Sequence, residues 1–372
     1  MSRLFEPSSL KNMTLPNRFV RSATWEGLAT EDGSVTPELI EVQRQLARGA
    51  VGLIISGHAY VSREGQAGMR QLGAYSDALI PGLTAMTEAI HESGGKAALQ
   101  LAHAGSRAAF KLTGLSPMGP SETEEGREMT GKDMRDIAGA FARAAERARI
   151  AGFDAVQVHA AHGYLLSQYL SPCFNKRTDG YGGAIENRTQ LLIEVINAVR
   201  EAVGPEFPIL VKLNSEDFLP NGLTTDDMFR VAAFLEQAGI DAIEMSGGTV
   251  LSGKYLPSRP GKPAEGEPEA YYEPVAETFK RKLPTPLMLV GGIRTLETAE
   301  RLVDTGITDY IALCRPLIRE PDLVARWRSG DHRPARCVSD NGCFAPGFEG
   351  KGVYCVVEEQ EKRGSDKGHP GP

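Results

Sequence analysis

Residues Leu287–Arg315 read LMLVGGIRTLETAERLVDTGITDYIALCR. An apolar run, Leu287–Val290, meets Gly291 and Gly292. Thr295 then stands as the cap of a helix with Leu296, Ala299, Leu302 and Val303 on one face, and a second apolar run follows at Tyr310–Leu313. The pattern is strand, helix, strand. Short strands that are apolar almost throughout suit a parallel sheet covered by helices, because neither face meets water. Outward from here the unit recurs. Arg18–Arg21 (RFVR), Val51–Ser56 (VGLIIS), Lys96–Leu101 (KAALQL), Ala155–Val158 (AVQV), Ile209–Leu213 (ILVKL) and Ile240–Met245 (IDAIEM) read as further strands. Between them one helix is capped by Thr36 and opened by Pro37, one carries Leu191, Leu192, Val195, Ile196 and Val199 on one face, and one runs from about Thr225 to Ala238, where Gly239 ends it. Eight strands with right-handed crossovers, and no glycine-rich dinucleotide fingerprint, predict a (β/α)8 TIM barrel rather than a doubly wound sheet.

Two segments break the rhythm, about Ala102–Lys132 after the third strand and about Gly247–Tyr272 after the sixth. Both follow strand C-termini, the face where barrels build their sites, and are expected to wall a pocket. The repeats stop near Gly330. The chain therefore divides into a barrel (1–330), a cysteine-bearing extension (331–357) and a charged, glycine-rich end (358–372), which is expected to be disordered. Its 372 residues suit one barrel with insertions, and 41% hydrophobic with 24% charged residues is ordinary for a globular enzyme. A net charge of −7 leaves no electrostatic footprint for nucleic acid or an anionic membrane. The first residues lack the apolar run of a signal peptide, and no segment approaches the roughly 20 apolar residues of a membrane span. A cytoplasmic enzyme acting on a small molecule is expected. Of the cysteines, Cys173, Cys314, Cys337, Cys343 and Cys355, three crowd the extension, which brings metal binding into view there.

The chemistry gathers at strand ends. Gly291 and Gly292 close the seventh strand, Cys314 and Arg315 the eighth. Glycines let backbone N–H groups approach an anion, a helix N-terminus adds positive potential, and Arg315 can make a bidentate contact, so a phosphorylated ligand is expected. FMN and a sugar phosphate both suit this feature, and glycines that only make tight turns are the plain alternative. After the fourth strand comes His159-Ala160-Ala161-His162-Gly163-Tyr164. Two imidazoles here can aim N–H groups at one oxygen and stabilise negative charge developing there, while Tyr164 can act as general acid. A zinc site of this spacing lacks a placed third ligand, and purely structural histidines would be costly to bury. Gln100 and Lys212 are polar residues in apolar strands. A lysine inside a barrel needs an anionic partner, either reduced flavin, charged around N1 and O2, or a carboxylate such as Glu244.

With these residues in place, the chain resembles the Old Yellow Enzyme family of FMN-dependent oxidoreductases, nearest the bacterial branch of dienoyl-CoA reductases and NADH:flavin oxidoreductases. The likeness runs from Leu4 to about Trp327. It rests on LFEPSSLKNMTLPNRFVRSAT (Leu4–Thr24), LQLAHAGSR (Leu99–Arg107), AGFDAVQVHAAHGYLLSQYLSP (Ala151–Pro172), NKRTDGYGGAIENR (Asn175–Arg188) and RPLIREPDL (Arg315–Leu323). It implies that the Ser22-Ala23-Thr24 backbone lies against the isoalloxazine, with the Thr24 hydroxyl near flavin O4. Gly57 and Gln100 then sit beside the ring, Gln100 at its pyrimidine edge, and Lys212 near N1. Gly291, Gly292, Cys314 and Arg315 hold the phosphate, His159 and His162 grip the substrate's carbonyl oxygen, and Tyr164 is the proton donor. The Asp179–Arg188 block braces the loop beside the site. The implied reaction carries hydride from NADH or NADPH through the flavin to the β-carbon of an α,β-unsaturated carbonyl compound.

Several positions depart from the family pattern. Cys314 stands where many relatives have glycine. Trp25 and Glu26 fall at the pocket wall, and a carboxylate there suits a cationic substrate, which keeps the family's amine dehydrogenases in view. In the branch with an iron–sulfur cluster, four cysteines follow the barrel. Here Cys337, Cys343 and Cys355 have suitable spacing and Asp340 occupies the place of the second, so an Asp-ligated cluster, a three-ligand cluster and a lost site all stay open. The FAD and NADPH domains of larger relatives are not among these residues, so electrons are expected from a nicotinamide directly or from an electron-donor protein. A homo-oligomer is also left open. The rivals from other classes are a non-redox aldolase or isomerase barrel and an electron-transfer or scaffold subunit.

Overall fold

The computed structural model describes residues 2–261 and 269–366. Eight strands close a parallel barrel. They are β1 (Phe19–Arg21), β2 (Leu53–Ile55), β3 (Lys96–Ala102), β4 (Ala155–Ala160), β5 (Ile209–Asn214), β6 (Ala242–Ser246), β7 (Leu287–Val290) and β8 (Tyr310–Leu313). β8 returns to β1 with Ile311 opposite Phe19 and Leu313 opposite Arg21. Two strands start later than their apolar runs predict. The N–H of Val51 bonds to Leu46 O and that of Ile240 to Leu235 O, so both residues complete the preceding helix before the chain extends.

The enclosing helices are α1 (Pro37–Arg48), α2 (Ile80–His91), α3 (Gly131–Ile150), α4 (Ile185–Val203), α5 (Thr225–Gln237), α6 (Glu273–Lys282), α7 (Leu296–Asp304) and α8 (Leu323–Arg328). Their caps follow the sequence. Thr36 accepts from Leu39 N at 3.2 Å, Thr224 from Asp227 N at 3.1 Å and Thr295 from Thr298 N at 3.2 Å, each satisfying a backbone donor at a helix start. Outward-facing strand residues such as Leu99, Val156, Val211, Ile243 and Leu289 join Leu191, Val195 and Leu302 of the helices in one core. Each fully buried side chain of this kind contributes about 1.5–3 kcal/mol.

The inward faces decide where the site lies. Side chains alternate along a strand, so residues two apart share a face. Ala98, Ala155, Leu210 and Ala242 form an apolar floor with Leu10, Met13 and Leu15, which come from a hairpin that plugs the N-terminal end of the barrel. Two residues further along the same faces stand Gln100, Gln157, Lys212 and Glu244, all buried. Two further on stand His159 of β4, one residue below its end, Asn214 and Ser246. The barrel therefore stacks an apolar layer, a polar layer and an open mouth.

The segment expected to wall the pocket after β6 is pinned by Arg259, whose guanidinium lies 4.6–5.1 Å from the rings of Phe218, Tyr255, Tyr271 and Tyr272. Part of it, 262–268, lies outside the described residues. The extension is strapped to the barrel mouth rather than standing apart. Arg294 donates to Ala335 O, Cys337 O and Ser339 Oγ, and Arg315 donates to Ser339 O and Asn341 Oδ1. The disorder expected from 358 onward is corrected in part, because the chain there continues a helix, α9 (Val356–Asp366). Its charged residues sit at helical spacing: Glu358–Lys362 and Glu359–Arg363 are i,i+4 pairs, and Glu361 reaches Arg319 at 2.6 Å. The remaining expectation, for 367–372, lies outside the described residues. Among the described residues no helix is long and apolar enough to cross a membrane.

Candidate active site

A cavity of about 470 Å³ opens at the C-terminal mouth of the barrel. His159, His162 and Tyr164 form one side of it, as the sequence predicts. The His159 ring lies 5.2 Å from that of His162 and 5.1 Å from that of Tyr164, both edge-on. His159 Nδ1 is buried without a hydrogen-bond partner. The His162 ring is held by its Nε2 contact to Ser246 Oγ at 2.8 Å, and its backbone N–H donates to Asn214 Oδ1 at 3.3 Å. His162 adopts φ +64°, a left-handed conformation that costs a non-glycine residue roughly 1 kcal/mol or more and that re-aims the ring toward the mouth.

Burial holds both imidazoles well below their usual pKa, with Lys212 and His58 adding repulsion to each and His162 adding more at His159. Both rings are therefore neutral near pH 7. Burial pushes the Tyr164 phenol up to about 12, partly offset by Arg107, so it keeps its proton. Its oxygen lies 3.2 Å from His58 Nε2. The sequence reading passed over His58, although it follows Gly57 at a strand end as His159 and His162 follow theirs.

A pH dependence of stability follows. His103 is 1% exposed, and burial holds it down to about 3; His159 is 5% exposed and also depressed. In the unfolded chain such groups take up protons below about pH 6.5, whereas the folded chain refuses them. The stabilisation is complete above that pH and is lost as pH falls toward the folded values, at about 1.4 kcal/mol per pH unit for each group. Thermal unfolding between pH 7 and 5 should show a falling Tm; a flat profile would mean that these rings are charged or solvated when folded.

The cavity floor is the polar layer. Lys212 Nζ lies 2.9 Å from Glu244 Oε1 and 2.8 Å from Ser22 Oγ, so the carboxylate partner considered from the sequence is present and the lysine still faces the cavity. Gln100 and Ala23 also line the space. The Thr24 hydroxyl donates to Ser22 O at 3.0 Å and lies 3.1 Å from Cys314 Sγ, below the lining. Gly57 packs beside it: a Cβ there would sit 2.6 Å from Thr24 O, so only glycine lets these two loops meet.

Trp25 lines the cavity, but Glu26 does not. Its Oε1 accepts from Arg21 Nη2 at 2.8 Å, with both side chains buried, so the expectation of a free carboxylate at the pocket wall is corrected. Among the lining residues that went unseen in the sequence are Phe344 and Phe348 of the extension. The Phe348 ring lies 4.9 Å from that of Trp25. The aromatic spacing in Phe344-Ala-Pro-Gly-Phe348 was the available signal.

Gly291, Gly292, Cys314 and Arg315 line one cleft at the ends of β7 and β8, and Pro257 and Ser258 border both it and the cavity. Gly292 has φ +82°, and a Cβ on it would lie 2.7 Å from the Tyr271 ring, so glycine keeps this wall thin. Arg315 commits Nη1 to the extension, and its other donors remain for an anion. A cleft edged by backbone and arginine, continuous with a cavity floored by an amide and an ammonium, fits the phosphate tail and polar-edged ring of FMN.

An iron–sulfur cluster is not shown by the arrangement. Cys337 Sγ accepts from Ser339 N at 3.4 Å. Among the described residues no three His, Cys, Asp or Glu side chains are gathered to hold a metal ion, so Cys337, Cys343 and Cys355, with Asp340 the fourth ligand left open in the sequence, are not assembled as one site.

The sequence matches the NADH:flavin oxidoreductase / NADH oxidase family over residues 3–333. A metal reductase of Desulforamulus reducens is 36% identical over 372 residues, covering 98% of this chain and 54% of that protein. An NADPH dehydrogenase of Bacillus licheniformis is 37% identical over 323 residues, covering 86% of this chain and 92% of that protein. The chain thus spans about half the length of the first relative and nearly all of the second. Among solved structures, the old yellow enzyme homologue from Zymomonas mobilis matches with a TM-score of 0.77 at 27% identity, over 93% of this chain and 98% of its own. The barrel agrees with these relationships, and the chain belongs to the NADH:flavin oxidoreductase / NADH oxidase family, the FMN-dependent oxidoreductases related to Old Yellow Enzyme.

Proposed function

We propose that this chain is an ene-reductase that adds hydride from NADH or NADPH to the β-carbon, and a proton to the α-carbon, of an α,β-unsaturated carbonyl compound. The observation that carries the reading is the pair His159 and His162, with ring centroids 5.2 Å apart and one edge toward the other's face at the side of the cavity, beside the Tyr164 phenol; burial holds both imidazoles below their usual pKa. FMN, when bound, supplies the hydride relay between nicotinamide and substrate.

The chain's own residues do the rest. The Nδ1 of His159 has no hydrogen-bond partner among the described residues, and the Nδ1 of His162 is free of the contact that holds Nε2, so each ring can offer N–H to a carbonyl oxygen. As negative charge grows on that oxygen, two neutral donors in a low-dielectric site stabilise it without first losing a bulk water shell. That polarisation makes the β-carbon electrophilic. Tyr164 then delivers the proton to the α-carbon, and His58 at 3.2 Å orients the hydroxyl. Trp25, Phe344 and Phe348 present apolar and aromatic surface to the body of the substrate. The pairing of Glu26 with Arg21 removes the carboxylate that favoured amine oxidation.

The test is direct. The purified chain should be yellow, and the reduced protein should be reoxidised by cyclohexenone with NADPH consumed in equal amount. Turnover of methylamines without any reaction with enones would replace this reading with the amine one, and a colourless protein that cannot be reconstituted with FMN would end both.

A further inference from the structure

Glu244 lies at the centre of the polar layer, fully buried, and no step above uses it. Its Oε1 accepts from Ser22 Oγ at 2.5 Å and from Lys212 Nζ at 2.9 Å, and its Oε2 accepts from Gln157 Nε2 at 2.8 Å. A carboxylate has no proton to offer. Gln157 must therefore turn its NH2 group toward Glu244 and its oxygen the other way, where it accepts from Gln100 Nε2 at 2.7 Å. That fixes the second amide as well: Gln100 directs nitrogen into the layer and leaves Oε1 for the cavity it lines. On the other flank Lys212 places two N–H groups on Ser22 and Glu244 and keeps the third for the cavity.

We infer that Glu244 sets the donor and acceptor polarity of the cavity floor, so that the floor recognises a ring edge with an imide N–H beside a carbonyl oxygen, as on the pyrimidine ring of FMN. Glu244 is a positioning residue, since Gln157, Gln100 and Lys212 separate it from the ligand. The inference rests on FMN occupying the cavity, as proposed above.

The relay can be reversed without changing its volume. In Glu244→Gln the introduced NH2 group meets the NH2 of Gln157. Relief requires Gln157 to rotate and then Gln100 to rotate, which presents a donor to the imide N–H. In Glu244→Gln combined with Gln157→Glu, the carboxylate moves one position along. There it accepts from the introduced amide on one side and from Gln100 on the other, and Gln100 again shows oxygen to the cavity. Both variants remove the carboxylate that pairs directly with Lys212, and the double exchange returns one negative charge to the layer at position 157, so its recovery reads the polarity of Gln100 together with the charge of the layer.

The experiment titrates each apoprotein with FMN and follows flavin fluorescence, with thermal unfolding of each apoprotein as the folding control. Wild type should bind. Glu244→Gln should bind about tenfold more weakly or worse, the scale of one mismatched buried polar pair, and the double exchange should recover to within about threefold of wild type. A single variant that binds like wild type, or a double exchange no better than the single, overturns the relay. Should Glu244→Gln fail to fold, the double exchange is compared with wild type directly, and a loss above about tenfold overturns it. Wild type that binds no FMN refutes the cofactor reading instead, a different result from a failed relay.

Discussion

Replacing His159 and His162 together by alanine is expected to leave the flavin bound and to slow enone reduction by about 10³- to 10⁴-fold. An oxygen-directed donor in such a site contributes about 3 kcal/mol to the transition state, two contribute up to about 6 kcal/mol, and coupling between neighbouring groups lowers the sum. The loss should fall on the step in which the reduced protein meets the enone, while reduction by NADPH stays near its wild-type rate, because a nicotinamide that gives up hydride gathers no negative charge on its carboxamide oxygen for these rings to stabilise. Stopped-flow measurement of both half-reactions reads the two rates separately. A double variant that reoxidises at the wild-type rate would remove the pair from the mechanism. The left-handed backbone at His162 calls for a control, since alanine is strained there. Asparagine tolerates that conformation and keeps an N–H donor, so His162→Asn should retain more activity than His162→Ala.

Lys212→Ala carries the largest expected effect on stability. Glu244 is fully buried and Lys212 is its cationic partner at 2.9 Å. Removing one member of a buried pair leaves an uncompensated charge, at about 3–5 kcal/mol. Denaturant unfolding of the apoprotein should show that loss, and a companion Glu244→Gln substitution should return part of it. With FMN restored, the missing ammonium no longer favours the more negatively charged reduced ring, so the flavin potential should fall. A potentiometric titration that matches wild type, together with unchanged unfolding, would mean that Lys212 is electrostatically idle.

The fold was legible because barrel formation is written locally. The apolar runs, the caps at Thr36 and Thr295 and the glycines closing the strands each act within a few residues, so they can be read before the chain folds. The histidine motif was legible for the same reason: His159, His162 and Tyr164 leave one strand end together. The fate of Glu26 and Lys212 was not. Glu26 was read as a pocket-wall carboxylate, and its neighbour Arg21, five residues away, takes it up instead; for Lys212 a flavin and Glu244 were both open, and the pairing of β5 with β6 sets Glu244 beside it. The extension shows the same limit. Its cysteines have the spacing of a ligand set, yet Arg294 and Arg315 hold their loop in a course that places Phe344 and Phe348 over the cavity.

Alternating elements, the barrel they close and the motif that carries the chemistry were all set by the order of residues along the chain, since period, capping and turn preference are short-range properties. Which buried charges pair, which way the amides of Gln100 and Gln157 point and what walls the mouth were settled by the folded arrangement alone. The reason is that a hydrogen bond or ion pair between distant residues has a partner only once closure has set the register.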